Sequence, residues 1–166
     1  MRDLGYWSHF VADTSQPLHV SIHFNGWGNF PNPNNYSTSN TIHARFEGEF
    51  VRNSVSATDI QAALKDKPAR DCACTIEQRT VQYILDSFKN IIPLYELESK
   101  GAFVAGNAAG KAFAIERTAA AVAELRDLVL FAWQASATAT VGYPIVNVAD
   151  VIAGKVDPYV AMFGAD

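Results

Sequence analysis

The stretch that decides the fold runs from residue 9 to residue 47, beginning HFVADTSQPLH and ending HARFE. Each end carries a histidine and a carboxylate four residues apart, namely His9 with Asp13 and His43 with Glu47. In a helix this spacing puts both side chains on one face, where they can reach one point in space. Pro17 disfavours helix at the residue before it, so the chain turns there and presents His19. The stretch predicts two helices joined by a long loop rich in Asn, Gly and Pro.

The polar residues of this stretch form a candidate metal-ligand set without thiolates: His9, Asp13, His19, His43 and Glu47. Nitrogen and oxygen ligands of this borderline hardness suit zinc. A single such pair is more often a surface ion pair or a satisfied core histidine. Three of the four histidines of the chain nevertheless belong to these motifs, which favours metal binding. The fourth, His23, lies in the loop and is predicted to be solvated rather than ligating.

The same motifs, together with Asn40, resemble the zinc-binding core of the superfamily of zinc-dependent phospholipases C and single-strand-specific nucleases. The resemblance covers residues 6–50 and implies an all-α phosphodiesterase with up to three zinc ions. It implies these roles: a first-zinc ligand at His9, a catalytic bridging carboxylate at Asp13, and one complete zinc site at His19, His43 and Glu47. The family's remaining ligands precede the His-x3-Asp helix, where this chain has eight residues. We therefore expect an N-terminally incomplete domain.

Substrate class stays open between a phospholipid and single-stranded nucleic acid. Glu47 resembles the phospholipase branch, toward which we lean, and Asn40 resembles the nuclease branch. Four loop aromatics could contact a base or an acyl chain, or could simply hold the loop to the domain: Phe24, Trp27, Phe30 and Tyr36. The alternative to a hydrolase is a non-catalytic helical module, or one chain of an assembly, with a partial metal site. Self-association, or a partner that supplies the missing ligands, is expected in either case.

Composition favours one folded domain over residues 1–166. The chain is 49% apolar and 18% charged, which excludes a disordered polymer, and its net charge of −4 argues against strong non-specific binding to duplex phosphates. No basic-plus-apolar leader opens the sequence, although the resemblance implies a secreted or periplasmic protein. Apolar runs are too short to cross a bilayer.

The rest of the chain predicts a multi-helix bundle. Ser56 is expected to cap a short helix that ends near Lys65, and Thr75 with Gln78 predicts a capping box. The packing faces are predicted at helical spacing: Ile42, Phe46 and Phe50; Ile76, Thr80, Ile84, Phe88 and Ile91; and Ile115, Val122, Leu125, Val129 and Ala132.

Cys72 and Cys74 stand one residue apart. A disulfide between them would be strained, so each is expected to pair elsewhere or to stay free.

Overall fold

A computed structural model describes residues 2–70, 72, 74–142 and 145–163. The chain is mostly helical, which confirms the all-α class. It forms two compact units, Met1–Leu125 and Arg126–Asp166. None of the described helices combines the length and the apolar character that a bilayer span requires.

The first unit is built from helices and short helical turns. These are α1 (Arg2–Ser15), a 3-10 turn (Pro17–Val20), a π-helix (Ala44–Val51) that continues as α2 (Arg52–Ser54), α3 (Ala57–Leu64), α4 (Ile76–Phe88), α5 (Ile91–Ser99) and α6 (Ala108–Ala135), which runs into the second unit. Ser56 and Thr75 both cap their helices through complete capping boxes, as predicted.

In the second unit the described residues form two short strands and two short helices. Strands β1 (Thr140–Val141) and β2 (Val146–Asn147) pair antiparallel. The sequence did not predict these strands, because no alternation of apolar and polar residues indicates them. Helices α7 (Val148–Ile152) and α8 (Pro158–Phe163) follow.

The core of the first unit joins the π-helix to α5 and to the loop. Its buried side chains are Leu18, Trp27, Tyr36, Ile42, Phe46, Phe50, Ile91, Leu94, Tyr95, Phe103 and Ala114. The predicted packing face of the second ligand helix is therefore confirmed, because Ile42, Phe46 and Phe50 are all buried. Packing of this face against α5 fixes the direction in which the opposite, polar face of the π-helix points.

The predicted packing face of α4 is wrong. Ile84 and Phe88 are exposed, whereas Arg79, Tyr83 and Ser87 are buried. Arg79 donates two parallel hydrogen bonds to Glu124 of α6, from Nε at 2.7 Å and from Nη2 at 2.9 Å. A buried polar group must be satisfied, and this bidentate pair satisfies both charges across the helix interface. The ion pair, rather than an apolar stripe, thus sets the rotation of α4.

The predicted face of α6 is wrong for the same reason. Val122 and Val129 are exposed, and the buried positions are mainly alanines together with Glu124 and Asp127. Small side chains allow neighbouring backbones to come close, so the buried face of α6 consists mainly of alanine methyl groups.

Cys72 and Cys74 form a disulfide with each other, contrary to the prediction. Their Cα atoms are 5.2 Å apart, which lies within the range that a disulfide spans. Separation along the chain was therefore a poor guide to this pairing.

Candidate metal centre

His19 is presented by the turn at Pro17. The side chain of Gln16 caps this turn by accepting a hydrogen bond from the Leu18 backbone nitrogen at 2.6 Å. Leu18 is completely buried, so it anchors the turn to the core. The neighbouring His19 side chain then points away from the core and toward the π-helix.

His43 and Glu47 come from the start of the π-helix. His43 is its N-cap residue, and Glu47 lies four residues further, on the same face. A π-helix is rare and is frequent at functional sites. The preceding loop orients the His43 ring, because the ring's Nδ1 lies 2.9 Å from the carbonyl oxygen of the loop residue Phe24. A carbonyl can only accept, so Nδ1 carries the proton and the lone pair of Nε2 is free to bind a cation.

The loop that supplies this carbonyl is held in a fixed shape. The Trp27 backbone N–H donates a hydrogen bond to the Ser37 carbonyl oxygen at 2.8 Å, which ties the two sides of the loop together. Gly26 has a φ of +96°, and a Cβ there would lie 2.6 Å from the Ser39 carbonyl oxygen. The close approach therefore requires glycine at this position. Asn25 adds a contact from its Oδ1 to the His43 backbone nitrogen at 3.3 Å.

Three ligand atoms converge on one point. His19 Nε2 lies 3.0 Å from His43 Nε2, and each of these nitrogens lies 3.1 Å from Glu47 Oε2. A tetrahedral zinc ion with ligand bonds of about 2.0–2.1 Å holds its ligand atoms about 3.3–3.4 Å apart. The triangle is within a few tenths of an ångström of that size. His19, His43 and Glu47 could thus hold a metal ion.

The triangle is electrostatically unfavourable when both imidazoles present lone pairs to it. His43 Nε2 is an acceptor, and His19 Nε2 becomes one when the Nδ1 proton of His19 faces Asp13, whose Oδ1 is 3.6 Å away. Two lone pairs and a carboxylate oxygen at about 3 Å would repel one another. A proton on His19 Nε2, donated to Glu47 Oε2, or a metal ion at the centre of the triangle would relieve this repulsion.

Gln16 and the two imidazoles hold Glu47 ionised. Partial burial alone would raise the pKa of Glu47, but the Gln16 Nε2 hydrogen bond to its Oε2 at 3.1 Å, together with His19 and His43 when these rings are protonated, brings that pKa below its ordinary value. An ionised carboxylate is the form that binds a metal. The Gln16 side chain thus serves both the turn and the ligand.

His9 and Asp13 lie beside the triangle rather than in it. Asp13 contacts His9 Nε2 through Oδ2 at 3.2 Å and faces His19 through Oδ1. Asp13 therefore lies where it can orient His19, which is a common role for a carboxylate behind a ligating histidine. The roles that the resemblance implies for His9 and Asp13 at further zinc ions stay predictions.

Two clefts open beside the triangle. A cleft of about 170 Å³ lies between α1, the π-helix and α6, and its walls include Asp13, His19, Glu47 and Arg117. We call it the Arg117 cleft. A wider cleft of about 520 Å³ is lined by Phe10, Phe24, His19 and His43. The triangle can therefore be approached from two sides.

The loop aromatics divide into two groups. Trp27 and Tyr36 are only 8% and 5% exposed and belong to the core, whereas Phe24 and Phe30 are exposed. Phe24 also lines the wider cleft. Trp27 and Tyr36 therefore hold the loop to the domain, which is one of the two roles predicted for the loop aromatics, and substrate contact by Phe24 and Phe30 stays a prediction. His23 is not freely solvated either, because its ring stacks on Trp27 with 3.8 Å between the ring centroids.

Sequence reasoning missed Gln16 as a partner of Glu47 and missed Arg117. The motif around Pro17 contains Gln16, so a capping role was within reach. Arg117 lies on α6, far along the chain from every ligand, and no spacing rule connects it to them.

Comparison with protein-family models, curated proteins and solved structures finds no match for this chain.

Proposed function

We propose that the chain binds one zinc ion through His19, His43 and Glu47, and that this site supports hydrolysis of a phosphodiester. The observation that carries the proposal is the convergence of two Nε2 atoms and one Oε2 atom at 3.0–3.1 Å. Two imidazoles and a carboxylate are a ligand set of catalytic zinc, whereas Mg²⁺ and Ca²⁺ prefer oxygen alone. Three protein ligands also leave a fourth position for water or substrate.

The surroundings of the triangle favour catalysis over a purely structural role. Structural zinc sites are closed by four protein ligands, whereas two clefts reach this triangle. When bound, zinc would supply a Lewis acid and a water of lowered pKa. The chain itself keeps the ligand atoms in place through Phe24, Gln16 and Asp13. A phosphodiester is proposed as substrate because the ligand motifs resemble those of zinc phosphodiesterases.

The experiment measures zinc content and hydrolysis together. Elemental analysis of the dialysed chain should find one zinc ion per molecule, and bis(p-nitrophenyl) phosphate should be hydrolysed slowly. Turnover should be slow, because the resemblance implies a set of ligands for two further zinc ions. Of that set this chain supplies two residues, His9 and Asp13. Glu47→Gln should remove both zinc and turnover, whereas Glu49→Gln, an exposed carboxylate of the same π-helix, should change neither. Full zinc content in Glu47→Gln would refute the assignment.

A second candidate function is that of a non-catalytic subunit that uses the metal for assembly. The observation that favours it is the exposure of Tyr6 and Phe10, 63% and 68%, on the helix that carries His9 and Asp13. Apolar surface next to an accessible site is often covered by a partner. Sedimentation at several concentrations, with and without zinc, distinguishes the two functions. A zinc-bound monomer with measurable turnover excludes the subunit role.

A further inference from the structure

Arg117 contributes a largely buried side chain to the wall of the Arg117 cleft, which also includes His19 and Glu47 of the ligand triangle. The Arg117 side chain is only 13% exposed, and its Nε donates to Glu116 Oε2 at 2.5 Å. Glu116 also receives Lys67 Nζ at 3.0 Å, so the carboxylate is shared between two cations. The Arg117 charge is therefore only partly neutralised by its neighbour.

The position of Arg117 on the wall of the cleft is fixed by α1. Its backbone carbonyl accepts a hydrogen bond from Ser15 Oγ at 2.6 Å. Among the described residues, Glu116 is the hydrogen-bond partner of the Arg117 guanidinium. The two terminal nitrogens of the Arg117 guanidinium are not among the side-chain atoms that are fully enclosed and lack a hydrogen-bond partner. Donor N–H groups thus remain accessible to a ligand in the cleft.

The size of the cleft and the arginine on its wall suit one kind of group. At about 170 Å³ it has room for several times the roughly 30 Å³ that a water molecule occupies. An arginine fork matches two oxygens of a tetrahedral phosphoryl group. Asp13 and Glu47 line the same cleft and would repel that anion. The anion is therefore bound well only when a cation occupies the triangle.

We propose that Arg117 binds a non-bridging oxygen of the phosphodiester whose phosphorus is presented to the zinc site, so that Arg117 is a substrate-binding residue. This proposal rests on the proposed function. The group recognised is the phosphodiester monoanion, which phospholipids and nucleic acids share. Loss of one charged hydrogen-bonding partner is expected to weaken binding of this anion about tenfold to hundredfold.

Calorimetry with dimethyl phosphate, the smallest phosphodiester, tests the proposal on the zinc-loaded and zinc-free full chain. We expect binding to the loaded chain, weak binding to the zinc-free chain, and a tenfold or greater loss in Arg117→Gln with one zinc retained. Arg2→Gln removes the same charge from an exposed position outside the cleft and should not change the affinity. Equal affinity of Arg117→Gln and the unchanged chain overturns the proposal and leaves the zinc site intact. A chain that binds no zinc contradicts the proposed function, and this proposal with it.

Two further arms complete the test. Dihexanoylphosphatidylcholine and a thymidine dinucleotide should both lose affinity in Arg117→Gln, and the tighter of the two on the unchanged chain identifies the source of the phosphodiester. If Arg117→Gln does not fold, Arg117→Lys replaces it, and unchanged affinity in that variant overturns the proposal. The NMR signal of the Arg117 Nε–H group, assigned by its loss in the lysine variant, must also shift when dimethyl phosphate is added. A signal that does not move overturns the proposal.

Discussion

Replacing His43 with alanine is the most direct test of the ligand triangle. In the zinc-free chain the change removes the hydrogen bond between Nδ1 and the Phe24 carbonyl, a bond that contributes about 0.5–1.5 kcal/mol. The side chain is 29% exposed, so water can replace part of that contact. We therefore expect only a small loss of zinc-free stability.

The effect on the zinc-bound chain should be larger. At a free zinc concentration of 100 times the Kd, binding stabilises the native state by about 2.7 kcal/mol. For a chain of this size that corresponds to a rise in Tm of about 5–11 °C. His43→Ala leaves two ligand atoms, so this rise should disappear.

The assay is thermal unfolding by circular dichroism with zinc added in steps, together with elemental analysis. His9→Ala is the matched control, because His9 is 71% exposed and lies outside the triangle. That variant should keep the full zinc-dependent rise. A zinc-dependent rise of the same size in His43→Ala would refute the argument from geometry.

Three further predictions concern the frame around the site. Arg79→Met should lower the free energy of unfolding, measured in urea, by about 3–5 kcal/mol, because it leaves Glu124 charged, buried and unpaired. Adding Glu124→Leu should recover most of that loss. Equal urea midpoints for Arg79→Met and the unchanged chain would contradict this prediction. Hydrogen bonds from Ser56 and Lys111 lower the pKa of Asp59 to about 2, so this carboxylate contributes stability that is lost as the pH falls from about 4 toward 2. Urea unfolding of Asp59→Asn across that range should show a weaker pH dependence, and an unchanged slope would count against it. Gln16→Ala removes the hydrogen bond to Glu47 and should lower zinc affinity about tenfold to hundredfold, measured by competition with a chelator; unchanged affinity would assign Gln16 to the turn alone.

Local features of the fold were predictable from the sequence. Ser56 and Thr75 each bond to a backbone nitrogen three residues ahead, so four consecutive residues contain the whole motif. The buried face of the second ligand helix was also predictable, because Ile42, Phe46 and Phe50 follow one spacing. Such features depend on neighbours along the chain and on little else.

The faces of α4 and α6 were not predictable in this way. Arg79 and Glu124 are 45 residues apart, and nothing near either residue indicates that the other will neutralise it. Hydrophobic periodicity assumes that charges lie outside, and here a paired charge lies inside. Ile84 and Val122 are exposed as a result.

The candidate site was predictable in its members but not in its geometry. The motifs supplied His19, His43 and Glu47, which the structure brings together. The π-helix was not expected, because a four-residue spacing is equally typical of an α-helix. The orientation of His43 depends on the Phe24 carbonyl, which carries no side-chain signal in the sequence.

The exposed aromatic rings of α1 determine how the protein can be handled at the bench. Tyr6 and Phe10 face solvent, and a net charge of −4 supplies only modest repulsion between molecules. Sulfate and similar salts strengthen apolar association. The protein should therefore precipitate early in ammonium sulfate and be retained on a phenyl resin, and buffers of low ionic strength should keep it dispersed at the concentrations that calorimetry requires.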